Sequence, residues 1–153
     1  MNQFTYSYPT KVYFGEKTAA ESLKQELSKV GKTVMLAYGG GSIKKNGIYD
    51  DLKHLLVQMD KEVVDFSGIM PNPTYAKVQE GARLVQEAHV DFILAAGGGS
   101  VIDCCKVISA QAMLAEDIWD MEYKSSKFPI VGTAASFAIL DPLYTASVPP
   151  MQV

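Results

Sequence analysis

Two stretches of this sequence carry one device. Val34 to Ser42 reads VMLAYGGGS, and Ile93 to Ser100 reads ILAAGGGS. In each, an apolar run of strand length meets three glycines and a serine, and a helix-like stretch follows. Glycines at a strand-to-helix turn let the chain bend sharply and keep β-carbons from standing between a ligand and the backbone amides. The serine is placed to cap the helix and to donate its hydroxyl. Unpaired N–H groups and the positive end of a helix dipole together attract an anion. The candidate binding residues are therefore Gly39, Gly40, Gly41 and Ser42, with Gly97, Gly98, Gly99 and Ser100, and the favoured ligand bears phosphate. Neither loop is G-x-G-x-x-G, and neither continues to the Gly-Lys-Ser/Thr of a P-loop. One such loop is as readily a flexible turn as a site. Two at the carboxyl ends of strands in one sheet favour a site.

No catalytic set stands beside these loops. His54 and His89 lack the paired spacing of a metal site and read as solvated residues. Cys104 and Cys105 are adjacent, so on a helix they point apart and suit core filling better than a disulfide. Ser100 and Lys106 have no histidine near them in sequence and do not read as a nucleophile–base pair. Asp103, early in the helix that follows the second glycine loop, either complements the dipole or steers a ligand.

The elements that must position the loops follow from periodicity. Thr33–Tyr38, Lys61–Phe66, Phe92–Ala96 and the shorter Phe128–Thr133 are apolar runs bounded by Gly or Pro, the pattern of buried parallel strands. Thr18-Ala19-Ala20-Glu21 is a capping box opening a helix that Gly31 should end. Ile48, Leu52, Leu55, Leu56 and Met59 form one helical stripe. Thr74 caps a further helix with Val78, Ala82 and Val85 inward, and Val101, Ile102, Cys105 and Ile108 mark a fourth. Strand–helix alternation at this spacing predicts an α/β fold, a Rossmann-like, mostly parallel sheet flanked by helices. Phe4–Tyr8 and Lys11–Phe14 add an amino-terminal β arm.

The chain has 153 residues and a formal net charge of −3, which argues against a broad nucleic-acid footprint. No apolar run nears the roughly 18–20 residues of a membrane span, and the start has no signal-peptide pattern. A cytoplasmic setting, with neither nucleic acid nor membrane as partner, is the expectation.

These residues resemble the iron-containing (group III) alcohol dehydrogenases, in particular their bacterial NADPH-dependent butanol- and aldehyde-reducing branch. The resemblance rests on Phe14-Gly15, Gly39-Gly40-Gly41-Ser42 with Gly47, Gly68-Ile69-Met70-Pro71-Asn72-Pro73, and Gly97-Gly98-Gly99-Ser100-Val101-Ile102-Asp103 with Lys106. It implies that Gly98, Gly99 and Ser100 hold a pyrophosphate and that Asp103 lies near the nicotinamide. It further implies that Gly39, Gly40 and Ser42 face the adenosine ribose and its 2′-phosphate, that Asn72 lines the cleft, and that Thr133 touches the cofactor. NADP(H) is expected in preference to NAD(H).

Two departures from the family bear on function. After Gly132-Thr133-Ala134-Ala135 the family continues with a Thr-Gly-Ser-Glu-type stretch and a hairpin, whereas this sequence passes to Ser136–Pro142, which resembles the strand after the hairpin. Leu143–Pro150 then resembles the linker into the family's helical metal-binding domain. The expectation is a truncated NAD(P)-dependent alcohol dehydrogenase: an arm over 1–15, a nucleotide-binding domain over 16–135 and a remnant linker strand over 136–153. The family metal, iron or zinc, is not expected to bind this chain, which alone is expected to be inactive. A homodimer through the arm is expected. The alternative is a non-catalytic oligomerising protein with vestigial cofactor loops.

Overall fold

The computed structural model describes residues 11–13, 18–124, 135–139 and 146–148. At its centre β2 (Thr33–Tyr38) and β4 (Phe92–Ala96) pair in parallel, with Val34 opposite Phe92 and Tyr38 opposite Ala96. Every residue of Val34–Tyr38 and Phe92–Ala96 is buried. Their apolar runs show no alternation because helices cover both faces of the sheet. β3 (Glu62–Phe66) lies parallel to β2 on its other side, and β5 (Ala135–Ile139) lies parallel to β4. β6 (Ala146–Val148) and β1 (Lys11–Tyr13) complete the sheet in antiparallel pairing, giving the order β1-β6-β5-β4-β2-β3.

Among the described residues five α-helices accompany the strands, α1 (Thr18–Leu27), α2 (Ser42–Lys45), α3 (Ile48–Gln58), α4 (Tyr75–Glu87) and α5 (Gly99–Ala112), and a π-helical turn spans Asp120–Lys124. Alternate strand residues feed two cores. Val34, Leu36, Tyr38, Phe92, Leu94 and Ala96 pack with Leu23, Leu27, Leu52 and Leu56 of α1 and α3. Met35, Ala37, Ile93 and Ala95 pack with Val78 and Val85 of α4 and with Val101, Cys104, Cys105 and Ile108 of α5. Gly81 lets α4 and α5 approach closely, since a β-carbon there would stand 2.5 Å from Cδ1 of Ile108.

Thr74 caps α4 as expected, its hydroxyl oxygen accepting from the Lys77 N–H at 3.4 Å. Elsewhere local reading misplaced boundaries. The stretch after the first glycine loop is two helices, because Gly47 adopts a left-handed φ of 81° between α2 and α3. The strand expected over 128–133 lies outside the described residues, and the strand parallel to β4 is β5.

Gly31 does not end a helix, since α1 stops at Leu27. It instead makes room for Asp91, whose carboxylate would overlap any β-carbon built at residue 31. That carboxylate accepts the Thr33 N–H at 2.9 Å at the start of β2. Lys61 Nζ donates to the carbonyls of Val30 and Gly31 at 2.9 and 2.8 Å on the same turn. Gly31→Ala should therefore cost about 1 kcal/mol by displacing Asp91 from Thr33, an ordinary hydrogen-bond magnitude. In an Asp91→Ala background the same substitution should be close to neutral. Urea unfolding of the four variants measures the coupling, and simple additivity would contradict this account.

Candidate functional site

The strand order fixes where a ligand belongs. The connection leaving β2 runs through α2 and α3 on one face of the sheet, and the connection leaving β4 runs through α5 on the other. Between two adjacent parallel strands whose chains leave in opposite directions a crevice opens at their carboxyl ends. Both glycine loops flank that crevice. Gly39, Gly40 and Ser42 on one side and Gly97, Gly98, Gly99 and Ser100 on the other line a single cleft of about 260 Å³.

The first loop is braced from beneath by a segment read only for Asn72. The Gly68 N–H donates to the Gly39 carbonyl at 3.0 Å, and the Ile69 N–H donates to the Tyr38 carbonyl at 3.3 Å. Ile69 and Pro71 line the cleft in consequence, as do Ile43, Ala96 and Val101. The motif Gly68–Pro73 carried this signal, but hydrogen bonds to a loop some thirty residues earlier are not visible in periodicity. Asn72 is exposed with φ of 55° and does not line the cleft, and Gly41 is exposed beside it. Asp103 is exposed on α5, 3.4 Å from Lys106, and lines a different groove. Thr133 lies outside the described residues.

The serines do not cap their helices. Gly41 is the N-cap of α2 and Gly98 the N-cap of α5, neither with a side-chain cap hydrogen bond. The serines fall inside the first turn because the helices start one or two residues earlier than a serine cap requires. Val101 and Ile102 donate to the Gly98 carbonyl at 3.0 and 3.3 Å. The N–H groups of Gly99 and Ser100 have no partner among the described residues, as expected for the opening of a helix. Gly99 and Ser100 both line the cleft, and free donors at a helix N-terminus are what an anion site uses.

The glycines divide into two kinds. At Gly39 a β-carbon would stand 2.9 Å from the Ile69 carbonyl oxygen, and at Gly97 it would stand 2.7 Å from Cγ2 of Val101 with φ at +156°. Packing requires those two. At Gly40, Gly41, Gly98 and Gly99 a β-carbon would meet nothing within 4 Å, and none has a left-handed φ. Neither sterics nor backbone conformation accounts for glycine there. What a side chain at Gly40, Gly98 or Gly99 would remove is open space in the cleft.

The remaining titratable groups offer no second centre in this cleft. His54 and His89 are exposed, on α3 and just beyond α4. Cys104 and Cys105 are free and buried, and burial raises both thiol pKa values, which keeps them protonated and inert. Among the described residues no three His, Cys, Asp or Glu side chains come together so as to hold a metal ion. No described helix is long and apolar enough to cross a membrane.

Comparison with known proteins matches this architecture to one family. The iron-containing alcohol dehydrogenase pattern extends over residues 9–142. The chain belongs to the iron-containing alcohol dehydrogenase family. A probable NADH-dependent butanol dehydrogenase of Bacillus subtilis is 48% identical over 121 residues, covering 79% of this chain and 31% of that protein. The NADPH-dependent aldehyde reductase of Escherichia coli is 35% identical, covering the whole chain and 49% of the reductase. That alignment is 192 positions long against 153 residues here, so about 39 internal positions have no counterpart in this chain. The crystal structure of an NADH-dependent butanol dehydrogenase from Thermotoga maritima superposes with a TM-score of 0.79 at 36% identity, covering 92% of this chain and 35% of that one. The chain spans about a third of the length of several family relatives, including these two butanol dehydrogenases.

The two kinds of glycine should separate in stability measurements. Gly97→Ala should lose about 1–3 kcal/mol through the contact with Val101 and the strained backbone. Gly98→Ala should stay within about 0.5 kcal/mol of the parent, as an unobstructed surface change does. Thermal and urea unfolding of both variants provide the check. Equal losses would mean that the Gly98 position is also a packing requirement.

Proposed function

We propose that this chain is the dinucleotide-binding part of an NAD(P)H-linked oxidoreductase that interconverts alcohols and aldehydes. The observation that carries the proposal is the cradle formed by Gly40, Gly98 and Gly99, glycines with no packing role, beside two unpaired backbone donors. Gly98, Gly99 and Ser100 would receive the pyrophosphate on the N-terminus of α5. Gly39, Gly40, Gly41 and Ser42 would face the adenosine ribose. Asn72, Asp103 and Thr133 enter on the family resemblance alone. When bound, the nicotinamide accepts or supplies the hydride. The chain's own residues bind the phosphates, orient the ribose and keep the backbone close to both. The described residues do not fit the family's metal, since no three His, Cys, Asp or Glu side chains among them come together.

NADP(H) is the cofactor we favour. No carboxylate stands on the Gly39–Ser42 loop to accept the ribose hydroxyls and repel a 2′-phosphate. α2 instead supplies Lys44 and Lys45, with the Lys44 ammonium 5.2 and 4.7 Å from the ring centres of Tyr38 and Tyr49. Asp65, the carboxylate of that cluster, is paired with Lys53 at 3.0 Å and accepts the Tyr49 hydroxyl at 2.9 Å.

Calorimetry with both cofactors tests the assignment. NADPH should bind at least about tenfold more tightly than NADH, or roughly 1.4 kcal/mol. Gly40→Asp should erase or invert that preference without loss of stability, since the position is open. Gly98→Val should weaken both cofactors by about thirtyfold or more, roughly 2 kcal/mol, while the fold stays intact. Tighter NADH in the parent would sink the 2′-phosphate assignment, and unaltered binding in Gly98→Val would sink the cradle.

We further infer a homodimer formed through the amino-terminal arm. β1 is the terminal strand of the sheet, and an edge strand offers backbone groups for pairing. Removing residues 1–13, which takes β1 with the rest of the arm, should shift sedimentation from dimer to monomer at micromolar concentration. An unchanged sedimentation coefficient would exclude the arm as the contact.

A further inference from the structure

A second groove, of about 320 Å³, lies between the start of α4, the middle of α5 and the segment Ile118–Tyr123 that passes over them. Its floor is apolar, built from Val78, Cys104, Val107 and Ile118. One wall is a run of aromatic rings. The Trp119 ring lies 5.6 Å from that of Tyr75 and stacks on Tyr123 at 4.1 Å with 23° between planes. Trp119 is 47% exposed and Tyr123 67%, so the wall presents ring surface to solvent.

Such exposure would mean little on an unanchored segment, but this one is pinned. Asp117 accepts the Tyr75 hydroxyl at 2.6 Å, the Trp119 N–H at 2.9 Å and the Gln79 amide at 2.7 Å. The oxygen of buried Gln111 accepts the Ile118 N–H at 2.8 Å. The Tyr75 hydroxyl, then the backbone donors of Asp120 and Trp119, hold the Asp117 carboxyl below its ordinary range. The network is therefore intact at neutral pH, and the wall stands ready before any ligand arrives. Pre-organisation of that kind lowers the cost of binding.

The charges select the ligand. Asp103 and Glu122 line the groove, and no Lys, Arg or His is among its described lining residues. Lys106 approaches Asp103 only at 3.4 Å with both side chains largely exposed, a pairing that contributes little. Aromatic faces carry a negative quadrupole, with Trp the strongest partner for a cation. Carboxylates and ring faces alike repel an anion, so this groove does not extend the phosphate-binding cleft.

We propose that this groove is a binding site for a small organic cation, an ammonium carried on an apolar or aromatic body. The ammonium lies against the exposed ring surface of the stacked Trp119–Tyr123 pair, on the side of Glu122 and Asp103, and the body covers Val107 and Ile118. The volume falls at the lower end of small-molecule sites.

Trp119 is the only tryptophan of the chain, so its fluorescence reports on this groove directly. Three probes share one ring and differ in charge: phenethylamine, protonated at pH 7, neutral 2-phenylethanol and anionic phenylacetate. The amine should give a saturable change, the alcohol one at least tenfold weaker, and phenylacetate none. Glu122→Gln should weaken the amine about threefold or more while leaving the alcohol unchanged. Val107→Arg, a change at a partly exposed helix position, should abolish the response without unfolding the chain. Equal responses to all three probes, no saturable response to the amine, or an unchanged amine affinity in Glu122→Gln would each overturn the proposal.

Discussion

The parallel pairing of β2 with β4 is the constraint on which the rest depends. Both strands are buried along their length, so their backbone groups need partners and their side chains need cover on two faces. Helices on opposite sides supply that cover: α1 and α3 on one, α4 and α5 on the other. Because the chain leaves the two strands toward opposite faces, the helices cannot close over the strand ends. The cleft is a geometric result of that arrangement. Gly40, Gly98 and Gly99 keep its space open.

Much of this was legible in the chain. Thr33–Tyr38 and Phe92–Ala96 announced themselves as uninterrupted apolar runs, because burial on both faces removes the polar alternation of a one-sided sheet. Thr74 announced the start of α4 because an N-cap is set by residues three apart. Gly98, Gly99 and Ser100 were legible as a loop at a strand's carboxyl end, and the structure gathers them with Gly39, Gly40 and Ser42 in one cleft. The family resemblance named the same loops and is supported over most of the chain.

What escaped local reading depends on partners distant in sequence. Gly31 resembles a helix stop until Asp91, sixty residues later, is seen to occupy the space above it. Ile69 and Pro71 reach the cleft because the turn before them hydrogen-bonds to Gly39 and Tyr38. The serines resembled caps because serine favours that position, yet glycine in the extended conformation serves at Gly98. The groove beside Trp119 needed the polar network of Asp117 and Gln111, whose members lie on three separate segments. Neither hydrophobic period nor turn chemistry encodes such pairings.

The close approach of α4 and α5 at Gly81 has a consequence for motion. Ile108 fills the space where a side chain at Gly81 would stand, so the two helices are keyed together and shift as one body. That body carries the Pro71–Thr74 turn and the Gly97–Ser100 loop, so one bank of the cleft is stiff. The opposite bank rests on α2, a helix of four residues set off from α3 by the left-handed turn at Gly47. Elements with few buried contacts open at low cost, whereas packed ones open only with the fold. The cleft thus has two unequal banks, one keyed into the packed α4–α5 pair and one carried by a single short helical turn.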